Sequence, residues 1–109
     1  MEYQLGVKDR LVLLAILPSE SGLASIRIIN DMRLSLAPSE AEFNDLQMEQ
    51  VDENLRWNQT AEEAIGPRAF EIGAKGQEII RKALEKLDKD EKLVADHLGI
   101  CDIFEYTGD

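Results

Sequence analysis

Leu11-Val12-Leu13-Leu14-Ala15-Ile16-Leu17, closed by Pro18, is the longest apolar run of the chain, and its reading decides the fold. Its seven residues fall far short of the roughly 20 that span a bilayer. A buried strand and a buried helix compete for it. Lys8, Asp9 and Arg10 extend the run, and Leu and Ala dominate it, which favours a helix over 7–17. A helix that is apolar all round belongs at the centre of a molecule. Pro18 ends it.

The neighbouring segments must then supply faces to cover that centre. Leu23 to Leu36 reads as a second helix with Ser21 as its N-cap. Ile26, Ile29 and Arg33 give one face, and Ile28 and Met32 widen it. Ala37-Pro38 breaks the chain. Ser39-Glu40-Ala41-Glu42 is a capping box: the Ser39 hydroxyl accepts from the Glu42 backbone and the Glu42 carboxylate reaches back. It opens a short helix over 40–46 with Phe43 and Leu46 pointing inward. Residues 47–58 alternate as a hairpin does, with Asp52-Glu53-Asn54 as the turn and Asn54 as the residue able to take positive φ. Residues 59–67 read as a polar connection, and 68–72 as a third short strand. Over 75–87, Ile79, Ile80, Ala83, Leu84 and Leu87 make an apolar stripe, with Glu78–Lys82 and Glu85–Lys89 in the favourable i,i+4 order. Asp88-Lys89-Asp90 is a break, and Asp90 is positioned to cap a final helix over 91–105. Its apolar face would be Leu93, Val94, His97, Leu98, Cys101 and Phe104.

These elements predict an α+β fold dominated by helices, about five of them, with a small antiparallel hairpin or three-stranded sheet. The 109 residues fit one domain with one core. Within it, 1–46 is expected to be helical, 47–72 to hold the hairpin and short strand, and 73–105 to hold two C-terminal helices. Three helices followed by a hairpin resemble the winged helix-turn-helix.

Charge narrows the function. The chain has 22 acids against 12 bases, a net of −10. Most of that excess lies in 40–63, where eight acids face Arg56 alone. Nucleic-acid binders gain affinity from Lys and Arg on phosphates, and anionic membrane surfaces demand the same. Both partners are disfavoured, and a basic protein surface is favoured by long-range steering. The single cysteine, Cys101, fits a reducing compartment, and the N-terminal residues lack a basic leader. The expected location is the cytoplasm, bacterial or that of a phage-infected host.

No catalytic or metal constellation emerges. In a winged helix the third helix enters the major groove; here it carries Glu40, Glu42 and Asp45, which oppose phosphate. Gly73-Ala74-Lys75-Gly76 resembles the GXXG loop of KH domains, yet a glycine-bearing strand-to-helix turn accounts for it. His97 and Cys101 stand i,i+4 with no further Cys or His to complete a zinc site. The carboxylate pairs Glu62–Glu63, Asp52–Glu53 and Asp90–Glu91 read as solvated surface. Trp57 divides between core residue and ligand platform.

Arg10-Leu11-Val12-Leu13-Leu14-Ala15-Ile16-Leu17-Pro18, Arg56-Trp57-Asn58, Ala83-Leu84-Glu85-Lys86-Leu87 and Lys92-Leu93 together resemble a group of short acidic proteins encoded by phages and prophages. That resemblance implies an origin and carries no functional residue. The expectation is a non-catalytic accessory protein, with no cofactor, that acts through protein contacts and self-assembles in one version. Its interaction surface would be Glu40, Glu42, Asp45, Glu49, Asp52, Glu53 and Trp57. The alternatives are a DNA-binding regulator using Arg27, Arg33, Arg81 and Lys82, and an acidic mimic of DNA.

Overall fold

Two prolines cut the first half of the chain into helices. The residue before a proline is pushed out of the helical region, and Leu17 and Ala37 are both extended, with ψ of 133° and 138°. The computed structural model describes residues 1–52 and 54–108. A strand, β1 (Glu2–Leu5), precedes α1 (Val7–Ile16), α2 (Leu23–Leu36) and α3 (Glu40–Asp45). The hairpin β2 (Glu49–Val51) and β3 (Asn54–Arg56) follows, then α4 (Gln59–Ile65), β4 (Arg68–Glu71) and α5 (Ala74–Lys89). A 3-10 turn at Ala95–His97 leads into α6 (Leu98–Ile103). The fold is α+β and helix-dominated.

The apolar run takes the central place. α1 touches α2, α5 and α6, and Leu13 and Leu17 sit in a core with Ile29, Leu36, Ile80, Leu84, Ile100 and Phe104. α5 is the expected amphipathic helix: Ile79, Ile80 and Leu84 are buried, while Lys82–Glu78 and Lys89–Glu85 pair outside at 2.9 and 2.7 Å. Gly76 lets α5 approach α2. A Cβ there would stand 2.9 Å from Ile72 Cγ2 and 3.1 Å from Met32 Sδ. Gly73 is the N-cap of α5, so the 73–76 loop is the strand-to-helix turn read from the sequence.

The sheets depart from expectation. Residues 68–71 join β1 rather than the hairpin: Tyr3 faces Phe70 and Leu5 faces Arg68 in antiparallel register. β2 and β3 form a separate two-stranded sheet. The reason lies in Glu2-Tyr3-Gln4-Leu5, whose two apolar side chains are buried and whose two polar ones are exposed. Tyr3 stacks at 4.5 Å on Phe104. The segment 1–46 is therefore helical except for this strand.

A second, smaller cluster lies under the hairpin. Val7, Leu46 and Met48 are buried, with Leu11, Leu55, Trp57 and Ala61 packed against them. Its existence reflects α4, a helix where a polar connection was expected. Asn58 caps it, its side chain accepting from Ala61 N–H at 2.9 Å.

Other local expectations are corrected by geometry. Gly22, not Ser21, is the N-cap of α2, with extended backbone and no side-chain bond. Phe43 is 41% exposed, because α3 is too short to bury more than its C-cap Leu46. Positive φ falls on Asp52, at 56°, and Asn54 pairs with Val51; Glu53 lies outside the described residues. α5 runs through Asp88-Lys89 and ends when Glu91 takes a left-handed φ of 56°. Asp90 is therefore the C-cap of α5 and not the N-cap of a helix over 91–105. The last helix begins only at Leu98, and Val94 and Leu98 are exposed rather than on its apolar face.

Candidate functional site

Among the described residues, Arg10 is the one charged residue in the core, 2% exposed. It lies on the buried stripe Val7-Arg10-Leu13 of α1, where a cation must find partners for every donor. Its Nε donates to Leu36 O at 2.9 Å and its Nη2 to Ala37 O at 3.2 Å. These are carbonyls at the end of α2, which have no partner within their own helix. The guanidinium also grips Glu42 through both nitrogens and lies 5.0 Å from the Phe70 ring centre.

Glu42 is thereby spent inside the fold. One oxygen accepts from Ser39 N–H at 3.2 Å and from Arg68 at 2.9 Å as well as from Arg10. The capping box forms as expected, with Glu42 N–H donating to Ser39 Oγ. The Arg10 hydrogen bond, aided by Ser39 and Arg68 and opposed by burial, lowers the Glu42 pKa to about 2. The sequence identified Glu42 as a cap and as interaction surface. It missed Arg10, whose signal was a cation on an apolar i, i+3 stripe.

Arginine has the same task elsewhere. Arg33 donates to Leu14 O and Leu17 O at 3.3 and 2.9 Å, closing the end of α1. Arg81 Nε donates to Phe104 O at 2.9 Å, closing α6. Arg68 lies over the Phe70 ring at 4.5 Å. Four of the six arginines thus serve the fold. Two of the four basic groups expected on a DNA surface, Arg33 and Arg81, are among them.

The expected acidic surface is only partly assembled. Glu40, Asp45 and Asp52 are exposed. Glu49 is exposed and faces Arg56 across the hairpin. Glu42 is withdrawn, and Glu53 lies outside the described residues. Trp57 is half-buried in the smaller cluster, and its Nε1 donates to Glu62, so it acts as a packing residue. Glu63 is exposed on α4, as its reading as solvated surface expects, and is not one of the candidate interaction residues.

Cys101 and His97 do not share a helix face. His97 lies in the turn before α6 and its Nδ1 accepts from Val94 N–H at 2.9 Å. Cys101 is buried in the main core, and burial pushes its thiol pKa up, away from nucleophilic or ligating use. Among the described residues, no group of three or more His, Cys, Asp or Glu is placed to hold a metal ion, and no helix is long and apolar enough to cross a membrane.

One concave feature went unread. An open groove of about 380 Å³ runs between α2 and β4 up to the start of α5. Ile28, Asp31, Met32, Ser35 and Leu36, on one face of α2, form one wall. Phe70, Glu71 and Ile72 form the other, and Gly73, Lys75 and Gly76 close the end. Sequence periodicity could not show it, because its second wall is a strand whose partner was itself unrecognised. No protein-family model, no curated protein and no solved structure matches the chain.

Proposed function

We propose that this chain is a small non-catalytic accessory protein, of the kind that phages and prophages encode, which works through protein contacts. The observation that carries the reading is the division of its charge. Arg10, Arg33, Arg68 and Arg81 donate to groups within the fold, while Glu40, Asp45, Asp52 and Glu63 stay exposed. A surface of that sign draws a basic protein by long-range attraction and repels phosphate.

Sedimentation at low and high salt, alone and with duplex DNA, tests it. The expected result is no co-sedimentation with DNA at any salt. A basic partner recovered from host extract should bind tightly only at low salt. It should be lost from the triple variant Glu40→Gln, Asp45→Asn, Asp52→Asn at unchanged melting temperature. Asn suits position 52 because it tolerates the left-handed backbone there. Co-sedimentation with DNA at low salt would replace this reading with the DNA-binding regulator.

A further inference from the structure

The groove beside β4 has the construction of a site for one more strand. In an antiparallel ladder, residues alternate between pairs that exchange hydrogen bonds and pairs that do not. Ile72 N–H donates to Met1 O at 3.0 Å, so the same edge is used by Phe70 and Arg68 in the register Tyr3↔Phe70 and Leu5↔Arg68. The backbone groups of Ala69 and Glu71 then point away from β1. The β1–β4 sheet has two strands, and β4 therefore has an outer edge. Successive strand side chains point to opposite faces, yet Phe70, Glu71 and Ile72 all line the groove. A strand whose edge faces a groove brings consecutive residues to it in this way. Across the gap stands α2, and between them Met32, Phe70 and Ile72, all buried, give an apolar floor.

The rim selects the occupant. Asp31 on α2 and Glu71 on β4 stand on opposite walls, both exposed, but the Met1 ammonium pairs with the Glu71 carboxylate. The one cation of the lining, Lys75, leans toward Glu78 at 3.7 Å. Asp31 is thus the rim carboxylate without a salt bridge among the described residues, on a chain of net charge −10.

We infer that the groove takes an extended segment of a basic partner protein. The segment adds as a strand to the outer edge of β4, with two apolar side chains at i and i+2 on the floor and a flanking Lys or Arg at Asp31. Main-chain bonds to Ala69 and Glu71 supply affinity, and the floor and rim supply selectivity. The inference rests on the protein-contact reading and gives it a second surface, distinct from the acidic residues of α3 and the hairpin.

The test uses the full chain and a synthetic array of decapeptides. Each carries two apolar residues at i and i+2 between lysines; controls are the same compositions scrambled, and glutamate-flanked versions. The best binder is titrated while backbone amide resonances are followed. The expected result is that the largest shifts fall on Ala69, Glu71 and the facing turns of α2. N-methylation of the peptide at its edge-facing amides should weaken binding at least about tenfold, the effect of an unmade buried hydrogen bond. Ser35→Arg, an exposed position on the groove wall, should do likewise without moving the melting temperature. Asp31→Lys should reverse the preference for lysine flanks over glutamate. Array binding whose shifts map to α3 and the hairpin overturns the groove and leaves the protein-contact reading standing. Binding indifferent to N-methylation overturns strand addition. An array without binders also overturns the groove, while the acidic surface stands or falls by its own triple variant.

Discussion

The main core and the hairpin side are stabilised by different means. The main core holds 15 buried residues drawn from β1, β4 and four helices. The hairpin side holds three, Val7, Leu46 and Met48, and neither α3 nor α4 has a buried residue of its own. What it has instead are side-chain bonds: the Ser39 box, the Asn58 cap, Trp57 on Glu62, and Glu42 gripped by Arg10. Apolar burial scales with area and holds whatever the pH. Bonds to a carboxylate hold only while it is ionised. The smaller cluster and its reliance on side-chain bonds predict that 40–66 opens locally before the whole molecule unfolds.

The largest expected effect sets the two clusters against each other. Leu84 is fully buried where α5 meets the main core. Leu84→Ala should cost about 2–5 kcal/mol, the range for a large side chain removed from a packed core, and should lower protection from hydrogen exchange in every element. Met48 is also buried, but its cluster is small and its neighbours are half-exposed. Met48→Ala should cost about 2 kcal/mol, with faster exchange confined to 40–66. Equal and global effects from both variants would show one cooperative unit and end the comparison.

The next effect sharpens the comparison through pH. The Glu42 pKa falls from 4.5 to about 2 on folding, chiefly through its bond from Arg10. A carboxylate with a depressed folded pKa contributes stability that is complete above its unfolded pKa and disappears as pH falls through the folded one. The window here is therefore from about 4.5 down to about 2. The contribution is on the order of 2 kcal/mol, because Glu42 keeps partial contact with water and solvent screens the pair. Denaturant melts at several pH values check it. Glu42→Gln should be less stable than the natural chain at neutral pH, and the gap should close across that window. A gap that stays constant with pH would remove the ionised pair as the link between α1 and α3.

Legibility in the sequence followed the same division. The central helix was readable from the composition of its apolar run and its charged extension, the second helix and α5 because burial imposes a period on their side chains, and the hairpin from its alternation. The capping box at Ser39 was readable because it is a local, two-residue mechanism. β1 was missed because four residues hold only two buried side chains, and what makes them a strand is a partner distant in sequence, in the register Glu2↔Glu71 to Leu5↔Arg68. α4 was missed because its apolar content is slight and its N-cap, Asn58, was read as the end of the hairpin. Of the candidate surface, Glu40, Asp45, Glu49 and Asp52 were placed outside correctly. Glu42 and Trp57 are half-buried, Trp57 on the core side of its two readings, and their partners Arg10 and Glu62 are recognisable only once the helices are packed.

The smallest effect separates the two caps of the hairpin side. Ser39 and Asn58 each accept one orphan N–H, a bond whose loss costs about 1 kcal/mol. The surroundings differ. Glu42, the third residue of α3, stays anchored by Arg10 and Arg68 when the Ser39 hydroxyl is removed. α4 is held to the hairpin side by Ala61, by Trp57–Glu62 and by Asn58 itself, whose Nδ2 donates to Gln47 at 3.3 Å, a bond that is lost with the Asn58 side chain. Asn58→Ala should therefore open α4, seen as exchange over 61–66 rising several-fold, about what 1 kcal/mol permits. Ser39→Ala should leave exchange in α3 nearly unchanged. Asn58→Asp, which keeps an acceptor at the N-cap and adds a charge that the helix N-terminus favours, should restore protection. If Ser39→Ala frees α3 as much as Asn58→Ala frees α4, then the Arg10–Glu42 pair does not anchor the hairpin side, and its stability resides in the caps alone.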